Sequence, residues 1–587
     1  MFSNSIAQTS TTTLSEDDWA VLINDILDVQ TVKRILRNDF TLKKLKLSNK
    51  NITDAQFQVL MRLLANNTKV TTLDLRGNNL STESAKLLAL SPTLQHLDLS
   101  GNRIDEEGAC LLAGNQKLLS LNLNSNHSYD IEHSQNFKRI GDKAAKAFAL
   151  NKTLQYLDVS NNDIGTDGVI ELAGNNTLKS LNIIHSNIRS SLSADIALAN
   201  NKTIRYLSVN NSCSEGVQRL AASRTLQYLN VSLNSINRQV LVTLAANKSI
   251  KTLDVSHCKI DDDDVSILAR NQTITHLIIA FNKIGLKGAQ ALAENPIIKN
   301  LDISYNKIGD NGMIPLATSA TLNTLCANMT GLGIASLEAL RVNRSIKYLS
   351  IASNDIDDDG AKIISMNQVI EKLSIGDNKI TNAGAEYLAL NKIFRDLAVG
   401  GNAIEDDGAK KIAANSFLKK VDMSATQIGK KGLIALLANK KFKRLSCVTT
   451  NMEIEVTDLH VLTRNKTLRK LNINGTISND SIKKLVLDSI AKNRAFYYSL
   501  LPMAIVFNQL AHSNDSYHAL RNYPFLWIIA WLHEMEDLSY EMISNVEKVS
   551  ASCGRIYAKR ADALLFSQSV SSNSGVNASE KTVSLKK

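Results

Sequence analysis

The sequence predicts an α/β solenoid, a stack of short coils that each add one strand to a parallel sheet and one helix to the opposite side. Three observations predict it. A 24-residue period carries Leu154, Leu157, Val159, Asn162 and Ile164 onto Leu178, Leu181, Ile183, Ser186 and Ile188, and the frame recurs as far as Phe442. Within each period the first half alternates apolar and polar residues, as a strand with one buried face does. The second half spaces apolar residues at helical intervals, as in Ala289, Leu292 and Ala293 after Gly288.

Taken in order, residues 1–40 open with MFSNSIAQTSTTTLSEDDW, which lacks a basic stretch before an apolar core and does not read as a signal peptide. Trp19, Leu22, Ile23, Ile26 and Leu27 then follow helical spacing, predicting a helical cap over the first coil's open core. An F-box-like reading of this segment lacks its Leu-Pro opening. Residues 41–493 hold about 18 coils, from the one beginning at Leu42 to the one beginning at Leu468. A single coil cannot fold alone. Burying about six aliphatic side chains gains about 12 kcal/mol, while ordering about 24 residues costs about 36, so coils must cover one another.

The coil beginning at Leu118 is longer than the rest, and its extra HSYDIEHSQNFKR predicts a projecting loop in which His127 and His133 lack companion metal ligands. Residues 494–566 become aromatic and helical in pattern, predicting a C-terminal helical subdomain. Its apolar runs fall short of the ~18 residues needed to cross a bilayer. Residues 567–587 are a polar, flexible tail.

Each coil's ninth place holds asparagine in ten coils and mostly Ser or Thr elsewhere, residues that satisfy backbone groups in a buried turn. A closing asparagine, as at Asn271, Asn295, Asn391 and Asn415, suits a left-handed helix cap. The acidic runs Asp261–Asp264 and Asp357–Asp359 precede helices, where the dipole favours negative charge.

This pattern, L-x-x-L-x-L-x-x-N-x-I followed by a short helix, resembles the leucine-rich-repeat family, in its intracellular ribonuclease-inhibitor-like branch. The resemblance implies a horseshoe with a parallel inner sheet and convex helices, a leucine core and an asparagine ladder. The regular, cysteine-poor units with N-x-T turns and the Ser-rich tail are also similar to leucine-rich-repeat effectors that intracellular bacteria deliver through type IV secretion. That likeness implies the cytosol of a host cell as the working compartment and a host regulatory protein as the target.

Chemistry is sparse. Charged residues make up 21% and hydrophobic ones 44%, a folded soluble composition. The six cysteines are dispersed, without a CxxC pair, which fits a reducing cytosol. No phosphate loop, zinc-protease helix or nucleophile elbow occurs, so neither an enzyme nor a metal or other cofactor is expected. Cys553 precedes Gly554-Arg555, and a thiol beside arginine is open to activation, but the acidic motif of repeat-bearing ubiquitin ligases is missing. A ubiquitin-ligase adaptor or ligase, and an activator of small GTPases, stand as the alternatives to a binding scaffold.

The surfaces therefore carry the functional reading. Positions 3, 5, 7 and 8 of each coil are predicted to face outward from the sheet, since the leucines at 4 and 6 point to the core. Position 3 holds Tyr156, Tyr206, Tyr228, His276 and Tyr348. Central coils place Ile184, His185, Leu233, His257, Ile278, Ala280, Phe281, Tyr305 and Met329 at positions 5, 7 and 8, where flanking coils carry small or polar residues. Apolar groups rimmed by tyrosines have the composition of a protein-binding hot spot. Segment 409–470 holds 14 basic and 4 acidic residues. It offers a contact for anionic membrane, while nucleic acid is not expected because no aromatics interleave it.

Overall fold

A computed structural model of the chain describes Ser15, Asp18, residues 26–126, 139–187 and 191–448, Val461 and residues 464–473. The chain divides into two units, 1–483 and 484–587, and the described residues all belong to the first. Trp19, Leu22 and Ile23, the loop with His127 and His133, the helical subdomain predicted over 494–566, Cys553 and the tail lie outside the described residues.

Eighteen strands of three residues each, from β1 (Lys44–Lys46) to β18 (Lys470–Asn472), form one parallel sheet among the described residues, and each pairs with its neighbours in sequence. The register never slips. Leu277 pairs with Leu253 on one side and Leu301 on the other, and Leu121 pairs with Leu157 although the intervening coil is longer. Between strands run helices of seven to eleven residues, such as Leu286–Ala293 and Asp54–Leu64. Neighbouring strands sit about 4.8 Å apart, whereas packed helices need about 8–10 Å, so the sheet takes the inner side of any curve.

The predicted leucine core is present: all three anchors of a coil are buried, Leu471 of the last coil being half-buried, as are the helix residues that face them, for example Ala289 and Leu292. Phe394 and Phe442, which replace leucine at a first anchor, are buried as well. At the N-terminal end a helix at Val29–Leu36 is capped by Asp28 and buries Val32 and Ile35. Asn67 of the following coil donates to the Ile35 carbonyl at 2.9 Å.

The ninth-place asparagines form the predicted ladder. Asn306 donates Nδ2 to the carbonyls of Ile279 and Ile303, both at 3.0 Å, and its Oδ1 accepts from the Ile284 N–H at 3.0 Å. Asn102 and Asn402 repeat the arrangement. The closing asparagines do something other than the predicted left-handed cap. Asn391 ends its helix at φ −67°, ψ 133°, an extended backbone. Asn271 donates to the carbonyls of Leu244 and Asn247 in the preceding coil and accepts from the N–H groups of Thr273 and Ile274. Bridging coils satisfies four backbone groups at once, more than a left-handed turn would.

Carboxylates cap helices both within and between coils. Asp261 accepts from Asp264 N–H in its own helix, while Asp262 Oδ1 accepts from Gly285 and Gly288 at the start of the next helix, at 2.7 and 3.0 Å. Asp406 does the same for Gly429 and Gly432. The acidic runs are thus absorbed by helix N-termini, as their charge favours.

Candidate binding face

Two columns of side chains project from the sheet away from the helices, at positions 3 and 5 of each strand. Tyr156, Tyr206 and Tyr348 are exposed in the first column, and Tyr228 is half-buried against Tyr206, with ring centroids 6.4 Å apart. Ile278, in the second column, is half-buried. Burial pushes the phenol of Tyr228 up, with the Asp254 carboxylate adding to the effect, and burial likewise raises Tyr348. The Asp254 carboxyl is itself raised by burial, against the hydrogen bond from Ser256.

Position 7 departs from the outward placement the alternation predicts. Ser160, Asn210, Ser256, Ala280 and Ser304 are buried there, and Ile184 is half-buried. The strand ends at position 5, so the two-residue alternation ends with it. Position 7 lies in the turn, where Ser256 folds back to donate to Asp254 Oδ1 at 2.7 Å.

Position 8 is the unusual one. Its backbone is left-handed in coil after coil, and glycine or a small polar residue commonly fills it: Gly77, Gly101, Asn161, Asn211, Asp377 and Gly401. That conformation costs most L-residues about 1–2 kcal/mol. Yet Leu233, His257, Phe281, Tyr305 and Met329 occupy it in five consecutive coils, at φ between 51° and 62°, and His185 does so two coils earlier.

A repeated bond holds these residues in line. The N–H of position 8 donates to the position-7 carbonyl of the next coil, as Phe281 does to Ser304 at 3.0 Å and Tyr305 to Asn328 at 2.7 Å. The side chains consequently stand in one column. His257 and Phe281 stack with centroids 4.2 Å apart, and Phe281 and Tyr305 with centroids 3.9 Å apart at 11°. Leu233, Phe281, Tyr305 and Met329 are each between 41% and 53% exposed, and His185 and His257 are exposed too. Beyond Met329 the ridge falls into an open groove of about 550 Å³, lined among others by Lys307, Gly331, Ser353 and Asp377.

The structure therefore brings six of the twelve predicted residues into one column or its extension (His185, Leu233, His257, Phe281, Tyr305 and Met329). It leaves Tyr156, Tyr206, Tyr228 and Tyr348 on the sheet proper, with Ile278 and Ile184 half-buried. The thiols offer no activated nucleophile: desolvation pushes the buried Cys258 and Cys447, and the half-buried Cys326 in the second column, up to about 12. One polar core residue escaped the sequence reading. Asp195 stands where neighbouring coils place Val169 and Val217, is buried, and has one carboxylate oxygen without a partner. A column-by-column comparison of helix residues would have exposed it.

Ten segments match the family model described as Leucine Rich repeat: 66–89, 90–113, 150–173, 246–269, 270–293, 294–317, 342–365, 367–389, 391–413 and 414–437. No curated protein matches the chain. Similar solved structures include the TLR13–ssRNA13 complex, at 19% identity over 75% of this chain and 58% of that one, with a TM-score of 0.37. The plant peptide hormone receptor RGFR1 in complex with RGF2 is 14% identical over 76% of each chain, with a TM-score of 0.30. The ectodomain of the receptor kinase GASSHO1/SCHENGEN3 from Arabidopsis thaliana, in complex with Casparian strip integrity factor 2, is 13% identical over 75% of this chain and 60% of that one, with a TM-score of 0.31. The chain thus spans 58% of the length of the first of these.

Proposed function

Because the chain is a leucine-rich-repeat protein whose large exposed side chains fill a left-handed column, we propose that it is a non-catalytic scaffold that grips a protein partner along that column. The ridge from Leu233 to Met329 is the observation that carries this reading. Strain retained in five consecutive coils, where asparagine or glycine would relieve it, points to selection for the side chains themselves. Aromatic and aliphatic groups standing clear of the backbone are suited to a partner's apolar pockets, and the surrounding Tyr156, Tyr206, Tyr228 and Tyr348 supply a polar-tipped rim. Following the resemblance to type IV-secreted effectors, the partner is a regulatory protein of a host cell, met in that cell's cytosol.

The test is affinity purification from host lysate with the parent chain, with the double variant Phe281→Asp/Tyr305→Asp, and with Val242→Asp on an exposed helix face as control. The expected result is a partner retained by the parent and the control and reduced at least tenfold on the double variant, all three having the same circular dichroism. Equal recovery on all three would remove the ridge as the binding site.

A further inference from the structure

The opposite edge of each coil, where a helix ends and the next strand begins, carries a separate pattern. Two positions recur there: the residue after the closing Asn or Ser, and the residue after the first anchor. Over the fourteen coils from Lys152 to Arg469 these positions hold seventeen Lys or Arg and one acid, Glu371. That is a net of +16 on one edge, against +11 for the whole chain, so everything else sums to a negative charge. Helix C-termini favour cations, which accounts for some of this.

The dipole does not account for what lies among the charges. Val342, Met366 and Leu390 stand at the ends of three successive helices, exposed by 51%, 48% and 68%, and Phe417 in the next coil is 37% exposed. Val342 and Leu390 are the last residues of their helices, and Met366 directly follows its own. Around them stand Arg344, Lys347, Lys392, Arg395, Lys419 and Lys440, of which Arg395 lies 5.6 Å over the Phe417 ring. Ion pairs nearby engage other groups, Lys410 with Asp407, Lys411 with Glu386 and Lys420 with Asp396.

We propose that this edge, centred on Val342, Met366 and Leu390, docks on an anionic lipid bilayer. A row of aliphatic tips within a field of lysine and arginine is the combination that binds an interface: the tips enter the headgroup layer and the cations meet the acidic lipids. The in-register coils lay these groups along one line, which fits a plane rather than a pocket. Single-stranded nucleic acid fits less well, because Val342, Met366 and Leu390 offer bases no stacking surface and the Phe417 ring already has Arg395 over it. The edge lies on the far side of the strands from the position-8 ridge, so a docked molecule keeps that ridge free.

The experiment is co-sedimentation of the full chain with phosphatidylcholine vesicles, alone or with a third phosphatidylserine. The expected result is binding that requires phosphatidylserine and weakens as salt rises from about 0.05 to about 0.5 M. Lys392→Glu/Arg395→Glu/Lys419→Glu should lower partitioning at least about a hundredfold. Val342→Ser/Leu390→Ser should lower it at every salt concentration while leaving the salt slope unchanged. Absence of phosphatidylserine-dependent binding, or both variants binding like the parent with unchanged circular dichroism, would overturn the proposal. So would preferential binding of a single-stranded oligonucleotide that vesicles fail to displace.

Discussion

Phe281 and Tyr305, 24 residues apart in the chain, lie face to face with ring centroids 3.9 Å apart, each on a backbone turned left-handed. The stack follows from the coil repeat: identical backbone bonds set both residues at the same point of successive turns, and the inter-strand spacing then matches the thickness of two rings. Their coupling is therefore measurable apart from any partner. A double-mutant cycle of Phe281→Ala and Tyr305→Ala should yield an interaction of about 0.5–1.5 kcal/mol in chemical denaturation. Additive single effects would mean that the rings merely coexist.

The ends of the ridge carry no ring of their own, so backbone strain can be probed there without breaking a ring stack. Leu233→Asn and Met329→Asn place at these positions the residue type found at Asn161 and Asn211. Each should leave stability unchanged or raise it by up to about 1 kcal/mol, by relieving the left-handed cost. A loss of more than about 1 kcal/mol in either would show that side-chain burial outweighs the strain.

The asparagine ladder should be costly to break. Asn306→Ala leaves the N–H of Ile284 and the carbonyl of Ile303 without this side-chain partner in a buried turn, while the Ile279 carbonyl keeps a bond from Asn282 at 3.0 Å. About 1–3 kcal/mol for each of the two stranded groups predicts a loss of at least about 2 kcal/mol, read from urea melts. Hydrogen exchange should localise the opening to the coils on either side.

Asp195 makes stability depend on pH. Burial lifts its carboxyl to about 6, with only Ser212 Oγ donating to it at 2.7 Å. Its folded pKa exceeds the unfolded value of about 3.9, so the favourable contribution is complete below about pH 4 and is lost as pH rises through 6. Relative to Asp195→Asn, the parent should lose about 2–3 kcal/mol between pH 4 and pH 7.5. Parallel stability profiles for the two proteins would contradict this assignment.

The period, the coil frame and the buried face were legible because leucines at fixed spacing impose both strand alternation and helix periodicity. Asn306 and its equivalents were legible for the same reason, as one polar residue type recurring at an otherwise apolar junction. Backbone handedness was not. Phe281 and Tyr305 stood out as large residues on a polar face, but the strain beneath them emerges only when Gly77, Gly101 and Asn161 are aligned in the same column. Ala280 was misplaced outward, and Ile184 is only half-exposed, because the alternation was carried two residues past the strand's end. Asn391 was read as a left-handed cap because asparagine tolerates that conformation locally, whereas its partners lie in the preceding coil.

The unbroken register has an evolutionary corollary. Excising residues 298–321, one whole coil, would join Ile298's predecessor to Leu322 with an equivalent strand still meeting at the seam, Thr330 and Leu286 then standing where the ladder's Asn306 and the cap's Asp310 had been. What would vanish is a single rung, Tyr305, leaving Phe281 beside Met329. Duplication would add one instead. Gene rearrangements in steps of 24 codons thus act on this molecule as a ratchet that lengthens or shortens its grip without shifting its strand register.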